Sequence, residues 1–484
     1  MSHLQQLAEN LVAETRDYVY IRPQDGLLIL RPNRAHHLNR TATAMLSRLY
    51  AGERPDVPAI VRDVAQEYRI PEGRVEADLE RLLASLSAVL QERICGAPAV
   101  RQVPFGSHTH DLPVLSEIAL TYRCQNRCQF CYASSPDRGR TVREMSTAEV
   151  RRVIDRIYDE AHCPTLSFTG GEPTLREDLA ELVAYAKGKG LRVNLITNGL
   201  RCADDSYVAS LAAAGLDSAQ VSLEAGNAGL HDLIVGHRGA FDLTTRAVTA
   251  LRRAGIHTHT NTTICVANRD HLAELVRYVR RVLGSDYLSM NMVIRTGAAL
   301  HRPEVRMSYR EIATLLRQVQ GWAEAEGIRL VWYSPIPYCV FNPVQAGLGS
   351  KSCAAADGLL SVNPSGDVLP CSSFEQGLGN LLRQSFRQVW HGPAARYWRS
   401  KAFLPPVCAR CAIRHICCGA CPLYWDECGG FAELEGLAPR APRGAHLRWR
   451  LRRWRRQSWG IGLKAHKRDE GKGADRCAQD PGIG

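Results

Sequence analysis

The sequence has no uninterrupted apolar stretch long enough to cross a membrane. No window offers eighteen consecutive apolar residues, and the start, Met1-Ser-His-Leu-Gln-Gln-Leu-Ala-Glu9, lacks the basic and then apolar order of a secretory signal. Hydrophobic residues make up 45% and charged residues 23% of the chain, which excludes a largely disordered protein. We therefore expect a cytoplasmic, globular protein without a membrane partner.

Acidic residues are missing from one short segment near the end of the chain. Eight arginines and no acids lie between Arg440 and Arg456, so about two thirds of the net charge of +12 is concentrated there. The body is nearly balanced, and nucleic acid is not expected as a partner. The Trp and Arg residues of 441–459 would suit nucleic acid or an anionic membrane, but such a run is more often a solvated terminus. We expect residues 433–484 to form a basic, disordered tail.

Cysteine, in contrast, is abundant, with seventeen residues in all. Disulfides are rare in the cytosol, and nine of the cysteines fall into two tight groups, 124–131 and 408–428, which favours metal binding. The first group is Cys124-Gln-Asn-Arg-Cys128-Gln-Phe-Cys131. Three soft thiolates leave one metal position without a protein ligand, as a reactive iron–sulfur site requires. A zinc site completed by a distant ligand and buried free cysteines are the alternatives.

The N-terminal part predicts a small α+β domain. Residues 17–22 and 26–31 are β-rich and are separated by the turn Pro23-Gln-Asp-Gly26, which predicts a hairpin. Three apolar stripes at helical spacing follow it up to residue 89. A hairpin with three helices is a winged-helix-like arrangement, which serves packing, peptide binding or DNA binding. Residues 55–92 carry eight acids against four bases, so phosphate affinity should be poor.

From residue 113 onward, predicted strands and helices alternate. The six predicted strands are 118–122, 165–168, 193–197, 219–223, 257–263 and 288–293. Repeated βα units imply parallel strands, and six of them imply a partial barrel with its chemistry at the carboxyl ends of the strands. The three-cysteine loop directly follows the first of these strands.

Polar and glycine-containing turns follow the next strands. Thr169-Gly170-Gly171-Glu172-Pro173 follows the second strand, Asn198-Gly199 follows the third, and Ser222-Leu-Glu224 ends the fourth. Glycines let a ligand approach the backbone, and a carboxylate beside them can hold an ammonium group. Each turn alone is an ordinary βα connection.

Together with the cysteines, these turns resemble the radical S-adenosylmethionine superfamily. The resemblance rests on CX3CX2C with Phe130 before the last thiol, and on GGEP about forty residues later. It implies that Cys124, Cys128 and Cys131 hold a [4Fe–4S] cluster and that the cluster binds S-adenosylmethionine. The remaining implied contacts are Gly170, Gly171 and Glu172 for the methionine end, Phe130 for the adenine, Ser222 and Glu224 for the ribose, and Asn198 as a further cofactor contact.

The cysteines near the C-terminus resemble a SPASM extension. Cys353-X12-Gly366-X4-Cys371 flanks a predicted hairpin with its turn at 363–367, and CX2CX5CX3C with a final cysteine follows from residue 408. Without this context, CX2C pairs would fit a zinc ribbon equally well. The resemblance implies one or two auxiliary iron–sulfur clusters, the first held by Cys353, Cys371 and Cys421 and the second by Cys408, Cys411, Cys417 and Cys428. The first set is one thiol short, which leaves Cys339, an open iron or a smaller cluster, and Cys418 is surplus.

The strand and helix pattern from Gly26 to Ala42 resembles the small peptide chaperone of pyrroloquinoline quinone biosynthesis. That family implies a domain that recognises the leader of a ribosomally made precursor peptide. We therefore expect an α/β chain with a PqqD-like domain at 1–96, a linker at 97–112, a partial (β/α)6 barrel at 113–335, a SPASM domain at 336–432 and the tail.

The three resemblances together predict a radical enzyme that crosslinks a precursor peptide through a C–S or C–C bond. Its expected partners are that peptide, bound through its leader, and a reductant such as flavodoxin or ferredoxin. Epimerisation is an alternative that would need a hydrogen-donating thiol, for which Cys265 and Cys339 are candidates. Tetrapyrrole or other cofactor biosynthesis and a non-catalytic, metal-containing nucleic-acid binder are further alternatives.

Overall fold

The computed structural model describes residues 2–32, 34–90, 100–103 and 111–437. The first domain contains four strands in one antiparallel sheet, in the order β1-β2-β3-β4, and four helices. Its elements are α1 (His3–Thr15), β1 (Val19–Arg22), β2 (Leu27–Leu30), β3 (Arg34–Leu38), α2 (Arg40–Leu49), α3 (Val57–Tyr68), α4 (Glu72–Leu90) and β4 (Val100–Val103).

The predicted hairpin and three helices are present, with Val19 opposite Leu30 and Arg22 opposite Leu27. Helix α1 was not predicted. It begins at the N-cap Ser2, whose side chain accepts from Gln5 N, and buries Leu4, Ala8 and Leu11. Its apolar stripe packs in the same core as α2, α3 and α4.

The predicted linker at 97–112 is wrong in part, because Val100–Val103 forms β4. This strand pairs antiparallel with β3, with Ala35 opposite Val103 and Leu38 opposite Val100. Strand β4 therefore belongs to the small sheet and makes one of its two edges, while β1 makes the other. Residues 97–99 and 104–110 of the linker lie outside the described residues.

The second domain is the predicted partial barrel. Its strands are β5 (Leu115–Thr121), β6 (Thr165–Gly170), β7 (Arg192–Thr197), β8 (Ser218–Ser222), β9 (His257–Ile264), β10 (Tyr287–Met292) and β11 (Arg329–Trp332). Its helices are α5 (Ser135–Thr141), α6 (Thr147–Asp155), α7 (Leu179–Gly188), α8 (Asp205–Ala213), α9 (Ala228–Val235), α10 (Ala240–Arg253), α11 (Leu272–Arg281) and α12 (Tyr309–Glu326). All neighbouring barrel strands are parallel, and α6 begins with the predicted capping box of Ser146 and Glu149.

The C-terminal domain continues the same sheet. It contains β12 (Leu359–Val362), β13 (Asp367–Leu369), β14 (Gly379–Asn380), α13 (Phe386–Trp390), α14 (Pro393–Arg399), α15 (Arg414–Cys417) and α16 (Pro422–Cys428). Strand β12 pairs parallel with β5 and antiparallel with β13, so the ten-stranded sheet runs β11-β10-β9-β8-β7-β6-β5-β12-β13-β14. The predicted turn between β12 and β13 is present: Asn363 Oδ1 accepts from Ser365 N and Asp367 N, each at 2.9 Å.

Two further predictions concern the C-terminal end of the chain. Glu433 and Leu434, assigned to the tail, are buried, and the Glu433 carboxylate accepts from Tyr424 Oη, so the packed domain extends to them. The arginine-rich segment and residues 471–484 lie outside the described residues. None of the helices in the described ranges is long and apolar enough to span a bilayer.

The small domain packs on the amino ends of β5 and β6. The fully buried Arg22 donates to Leu112 O at 3.1 Å and to Pro113 O, both just before β5, and pairs with Asp25 at 2.8 Å. Thr165 Oγ1, at the start of β6, donates to Pro32 O at 3.2 Å. The small domain is therefore at the opposite end of the barrel from the cysteine loop.

Candidate active site

The three-cysteine loop lies at the carboxyl end of β5, as predicted. Burial first, and then the charge of Cys131, raises the pKa of Cys128 well above its usual value, and Cys124 adds to this. Burial followed by the Glu172 charge raises the pKa of Cys124 to about 12. The three thiols are thus close neighbours, and they need a positive metal centre beside them to ionise at neutral pH.

Backbone hydrogen bonds hold this loop from two sides. Arg127 N donates to Val235 O at 2.8 Å and Gln129 N to Ile234 O at 3.1 Å, which ties the loop to the end of α9. On the other side, Ala298 N donates to Cys131 O at 2.9 Å. Gly297 has φ +55°, and a Cβ there would collide with Cys131 O. Neither segment stood out in the sequence, because each lies more than a hundred residues from the cysteines.

The GGEP turn packs directly against the start of the cysteine loop. Gly171 N donates to Thr121 O and Glu172 N to Arg123 O, both at 2.8 Å. A Cβ on Gly171 would lie 2.6 Å from Tyr122 O, and one on Gly170, where φ is +131°, would collide with Thr121 O. The two glycines are therefore required for this backbone contact.

The Glu172 carboxylate is fully engaged inside the protein. Its Oε1 accepts from Thr174 N at 3.0 Å, Thr174 Oγ1 at 2.7 Å and Thr197 Oγ1 at 2.8 Å, and its Oε2 accepts from Asn198 N at 2.7 Å. Burial raises the pKa of Glu172, while the hydrogen bonds from Asn198 and Thr174 oppose that shift. The side chain thus joins the ends of β6 and β7, which the sequence could not reveal.

Asn198 lies beside the first cysteine. Its Nδ2 is 3.3 Å from Gln125 Oε1 and 3.8 Å from Cys124 Sγ. Asn126 N also points to Cys124 Sγ, at 3.4 Å, and the buried Asn126 Oδ1 has no hydrogen-bond partner among the described residues. Polar groups therefore surround the loop, as a charged cluster and its ligand require.

Glu224 and Ser222 extend the site along β8. Glu224 Oε2 accepts from Thr263 N at 2.8 Å, and burial raises the pKa of Glu224 to about 8. The Glu224 charge also acts on Cys128, so the carboxylate is near the cysteine loop. Ser222 lies opposite Asn261 of β9 and is partly exposed on the inner face of the barrel.

Phe130 and Cys265 share one apolar cluster. Phe130 packs against buried residues of this cluster, which comprises Ile234, Cys265, Val293, Ala299 and Val305. Cys265 is completely buried there, and burial raises the pKa of its thiol to about 11. This environment is that of a small buried hydrophobic residue.

The inner face of the barrel is strongly polar. Asn194 donates to Ser167 Oγ at 3.3 Å, and Asn261 donates to Asn291 Oδ1 at 2.7 Å. His259 is buried against the Tyr287 ring, and neither of its ring nitrogens has a partner among the described residues. On β6, β7 and β10 these polar residues alternate with buried apolar ones, a pattern that is visible in the sequence. On β9 they alternate with buried threonines, so the sequence of that strand carries no such signal.

The C-terminal cysteines form two groups. Burial first, and then the charges of Cys353 and Cys371, raises the pKa of Cys421, so these three thiols are neighbours, and their role as cluster ligands stays a prediction. Burial and then Cys417 raise the pKa of Cys408 to about 12, with Cys339 and Cys411 adding to it. Burial raises the pKa of Cys418 to about 11, Lys401 opposes the shift, and the charge of Cys353 adds to it. Cys428 ends α16, with its Sγ 3.8 Å from Arg306 Nη1.

A small cavity lies between the cysteine loop and the first C-terminal group. Its lining includes Tyr132, which follows Cys131, and Ser372, which follows Cys371. Glu117 of β5 also lines it and accepts from Ser361 Oγ of β12. Among the described residues, no three His, Cys, Asp or Glu side chains converge on a single ion position. A four-iron cluster needs a wider spacing than an ion does, because each thiolate binds its own iron.

Three family descriptions match the sequence. "Radical SAM superfamily" matches residues 118–279, "Iron-sulfur cluster-binding domain" (SPASM) matches residues 353–412, and "Coenzyme PQQ synthesis protein D (PqqD)" matches residues 26–89. Residues 118–279 therefore form a radical SAM domain, which is followed by a SPASM domain. These domains imply iron–sulfur clusters and S-adenosylmethionine as cofactors, and the glycine turn, the cysteine loop and the buried polar atoms around them fit these groups.

Curated radical SAM relatives resemble most of this chain. The PqqA peptide cyclase of Xanthomonas euvesicatoria pv. vesicatoria is 28% identical, over 69% of this chain and 90% of that protein. The AdoMet-dependent heme synthase of Nitratidesulfovibrio vulgaris is 26% identical, over 67% of this chain and 91% of that protein.

A solved structure shares the fold over most of this chain. The structure of Streptococcus suis SuiB bound to precursor peptide SuiA matches with a TM-score of 0.64 at 16% identity, covering 88% of this chain and 98% of that one. This agreement confirms the predicted fold, including the N-terminal domain, the barrel and the C-terminal domain.

Proposed function

We propose that this radical SAM enzyme modifies a ribosomally made precursor peptide and forms a C–S or C–C crosslink in it. The main support for this proposal is that one chain contains a PqqD-like domain, a radical SAM barrel and a SPASM domain. A PqqA peptide cyclase and a SuiB structure with a precursor peptide are similar to it.

The residues of the cysteine loop would hold the reactive group. A [4Fe–4S] cluster on Cys124, Cys128 and Cys131, together with S-adenosylmethionine, supplies a carbon radical that takes a hydrogen atom from the peptide. Glu172 acts mainly by holding the ends of β6 and β7, because its oxygens are occupied by Thr174, Thr197 and Asn198. Gly171 N is bonded to Thr121 O and Gly170 O to Tyr132 Oη, so the methionine end is proposed to contact the other backbone groups of these two glycines.

The remaining proposed cofactor contacts follow the strand order. Ser222, at the end of β8, and Glu224, whose charge acts on Cys128, are proposed to bind the ribose. Phe130, with the apolar cluster behind it, offers a surface for the adenine ring. Asn198 orients the loop through Gln125 and lies near Cys124.

The peptide would react next to the cavity between Tyr132 and Ser372. A crosslink removes two hydrogens from the peptide, one as an atom and one as a proton and an electron. Glu117 offers a carboxylate at this cavity to accept the proton. One or two auxiliary clusters, on Cys353, Cys371 and Cys421 and on a set around Cys408, are proposed beyond it, and a flavodoxin or ferredoxin in the cytoplasm is the proposed reductant.

The leader would be bound far from the chemistry. Strands β1 and β4 are the edges of the small sheet, and an extended peptide can add to such an edge by main-chain pairing. Arg22 fixes this domain just before β5, whereas the cysteine loop follows β5. Crossing the length of β5 takes about 7 extended residues at about 3.3 Å each, so the leader and the modified residue should be at least that far apart in the peptide.

The test is anaerobic reconstitution with iron and sulfide, followed by reaction with the peptide encoded by a short reading frame beside the gene. Under dithionite we expect 5′-deoxyadenosine and a peptide that has lost two hydrogens. A peptide of unchanged mass in ordinary water that gains one deuterium at an α-carbon in heavy water would indicate epimerisation instead. Activity on a tetrapyrrole that survives deletion of residues 1–96 would overturn the peptide assignment.

A further inference from the structure

Part of the three-cysteine loop lies at the protein surface. Its three cysteine residues are each partly exposed, and Arg123 and Arg127 of the same loop are exposed. The charge of Arg123 is compensated by Glu144, at 2.9 Å. Because the rate of electron transfer falls steeply with distance, a protein that reduces a cluster in this loop must dock where the loop reaches the surface.

The end of α9 forms the surface on one side of the loop. Gly236 caps this helix with φ +64°, and a Cβ on it would lie 2.8 Å from Arg127 O and 3.1 Å from Arg127 Cβ. Two residues later, Arg238 is exposed. Within the helix, Leu233 is 63% exposed, and its carbonyl oxygen accepts from Gln129 Nε2 at 3.3 Å. Arg127, Leu233 and Arg238 therefore lie around the end of α9, beside the loop.

Helix α5 extends this surface on the other side of the loop. A Cβ on Gly139 would lie 2.8 Å from Arg123 Cα, so the helix packs against the start of the loop. The next residue, Arg140, is exposed. Residues 123–143 contain five arginines and a single acid, Asp137. The segment that carries the cysteines is therefore strongly basic.

The positive charges around the loop are available to a partner. Within the part of the chain that the structure describes, Arg127, Arg140 and Arg238 form no ion pair. The neighbouring carboxylate of Asp232 accepts from Gly239 N at 2.6 Å, at the start of α10, and is held there. Three uncompensated guanidinium groups thus surround this end of the barrel, where they attract an acidic protein over a neutral or basic one.

The position of Leu233 gives this surface the composition of an interface. A single exposed leucine is ordinary on a protein surface. Leu233, however, lies among arginines, which matches the apolar centre and charged rim of a docking site. We call the surface formed by Arg127, Arg140, Leu233 and Arg238 the arginine surface.

We propose that the arginine surface docks an acidic electron-carrier protein, such as a flavodoxin, which reduces the cluster of the three-cysteine loop. One electron passes from the carrier to the cluster, so the carrier is oxidised and the cluster is reduced by one electron each. The inference rests on the proposed function, which names such a carrier as the reductant, but it needs no peptide.

The test compares Arg140→Glu/Arg238→Glu with Arg62→Glu/Arg74→Glu in the full, reconstituted chain. Arg62 and Arg74 are exposed on α3 and α4 of the small domain, at the far end of the barrel, so the control changes the net charge equally. The measured quantity is kcat/KM for a reduced, acidic bacterial flavodoxin in 5′-deoxyadenosine formation without peptide. It is divided by the rate with dithionite, which needs no docking surface.

We expect this ratio to fall about 10-fold in Arg140→Glu/Arg238→Glu at about 50 mM salt and to stay at the wild-type value in the control. At about 0.5 M salt the two proteins should converge, because exposed charges are then screened. Leu233→Gln should lower the ratio about threefold at both salt concentrations, because it removes apolar contact area and no charge.

Three results would overturn the proposal: a wild-type ratio in Arg140→Glu/Arg238→Glu, an equal loss in the control, or a wild type that flavodoxin does not reduce. An increased KM for the precursor peptide with an unchanged ratio would assign the surface to the peptide and overturn it as well. A wild type that flavodoxin reduces but that modifies no peptide would instead overturn the proposed function and leave this docking surface standing.

Discussion

The two cysteine-bearing regions of this chain are supported in different ways. The loop of Cys124, Cys128 and Cys131 follows a seven-residue strand, and residues from β6, α9 and the segment after β10 bind its backbone. The C-terminal cysteines lie on turns and on helices of four to seven residues. The barrel loop is therefore formed by the protein before any metal binds, whereas the C-terminal groups should depend on their clusters for order.

A substitution in the GGEP turn, which supports the cysteine loop of the barrel, should have the largest effect on activity. Gly171→Ala would place a Cβ 2.6 Å from Tyr122 O, so the GGEP turn must move away from the cysteine loop. We expect 5′-deoxyadenosine formation to fall at least about 100-fold, because a shift of about 1 Å at a reacting centre costs that much. The C-terminal clusters should remain.

The matched control is Gly73→Ala, in α4, where nothing lies within 4 Å of the added carbon. It should leave S-adenosylmethionine cleavage unchanged. If Gly171→Ala cleaves S-adenosylmethionine at the wild-type rate, the GGEP turn tolerates displacement.

Removal of iron tests whether the C-terminal domain depends on its clusters for order. We expect limited proteolysis of the chelated protein to cut first within 336–432, while the fragment containing β5 to β11 resists. The physical reason is that the C-terminal domain has few long elements and gains much of its stability from cluster binding. Equal rates of proteolysis in the chelated and reconstituted proteins would show that the C-terminal domain does not depend on its clusters for order.

The C-terminal domain contains a buried ion pair. Lys401 Nζ lies 2.8 Å from Asp357 and donates to Cys353 O at 2.7 Å, with both side chains almost fully buried. Lys401→Met should lower the free energy of unfolding by about 3 kcal/mol, because it leaves a buried carboxylate without its cation. Urea unfolding followed by tryptophan fluorescence measures this.

Two variants calibrate that measurement. The double variant Lys401→Met/Asp357→Asn should recover part of the loss, since it also removes the buried Asp357 charge. Lys189→Met, which breaks the more exposed pair with Asp159, should cost less than about 1 kcal/mol. Similar losses for Lys401→Met and Lys189→Met would refute the role of burial.

The smallest predicted effect is the pH dependence of stability that is due to His259 inside the barrel. Burial and then the His257 charge lower the pKa of His259 to about 3, below its ordinary value of 6.5. Between pH 6.5 and pH 3, His259 therefore binds a proton in the unfolded chain but not in the folded chain. The free energy of unfolding falls as the pH falls through this range. Between pH 7 and 5.5 the loss is about 1 kcal/mol, and His259→Phe should remove that part of the pH dependence in urea unfolding. An identical pH slope in both proteins would mean that His259 is accessible to protons.

The sequence predicted elements and motifs whose signals are local. The six barrel strands, the hairpin turn at Pro23–Gly26 and the helix start at Ser146 are each recognisable within about ten residues, and the structure confirms them. The three-cysteine loop was correctly placed because a βα connection of a parallel sheet has a fixed position.

The features that the sequence did not reveal depend on distant partners. Strand β4 has only four residues, and its partner β3 lies more than sixty residues earlier. The contact of Gly297 with Cys131 and the hydrogen bond from Tyr338 N to Cys417 Sγ likewise join segments that are distant in the sequence. Helix α1 is different, since its N-cap and apolar stripe were visible in the sequence.

The parallel pairing of β12 with β5 has a consequence for engineering this protein. Residues Leu115 to Ile118 of β5 bond to Leu359 to Val362 of β12 on one side and to β6 on the other. A chain shortened before residue 359 would leave β5 as a bare sheet edge, with unpaired amide and carbonyl groups next to apolar side chains. Such a truncated barrel should aggregate during expression, so the C-terminal domain is better inactivated by point substitutions than by deletion.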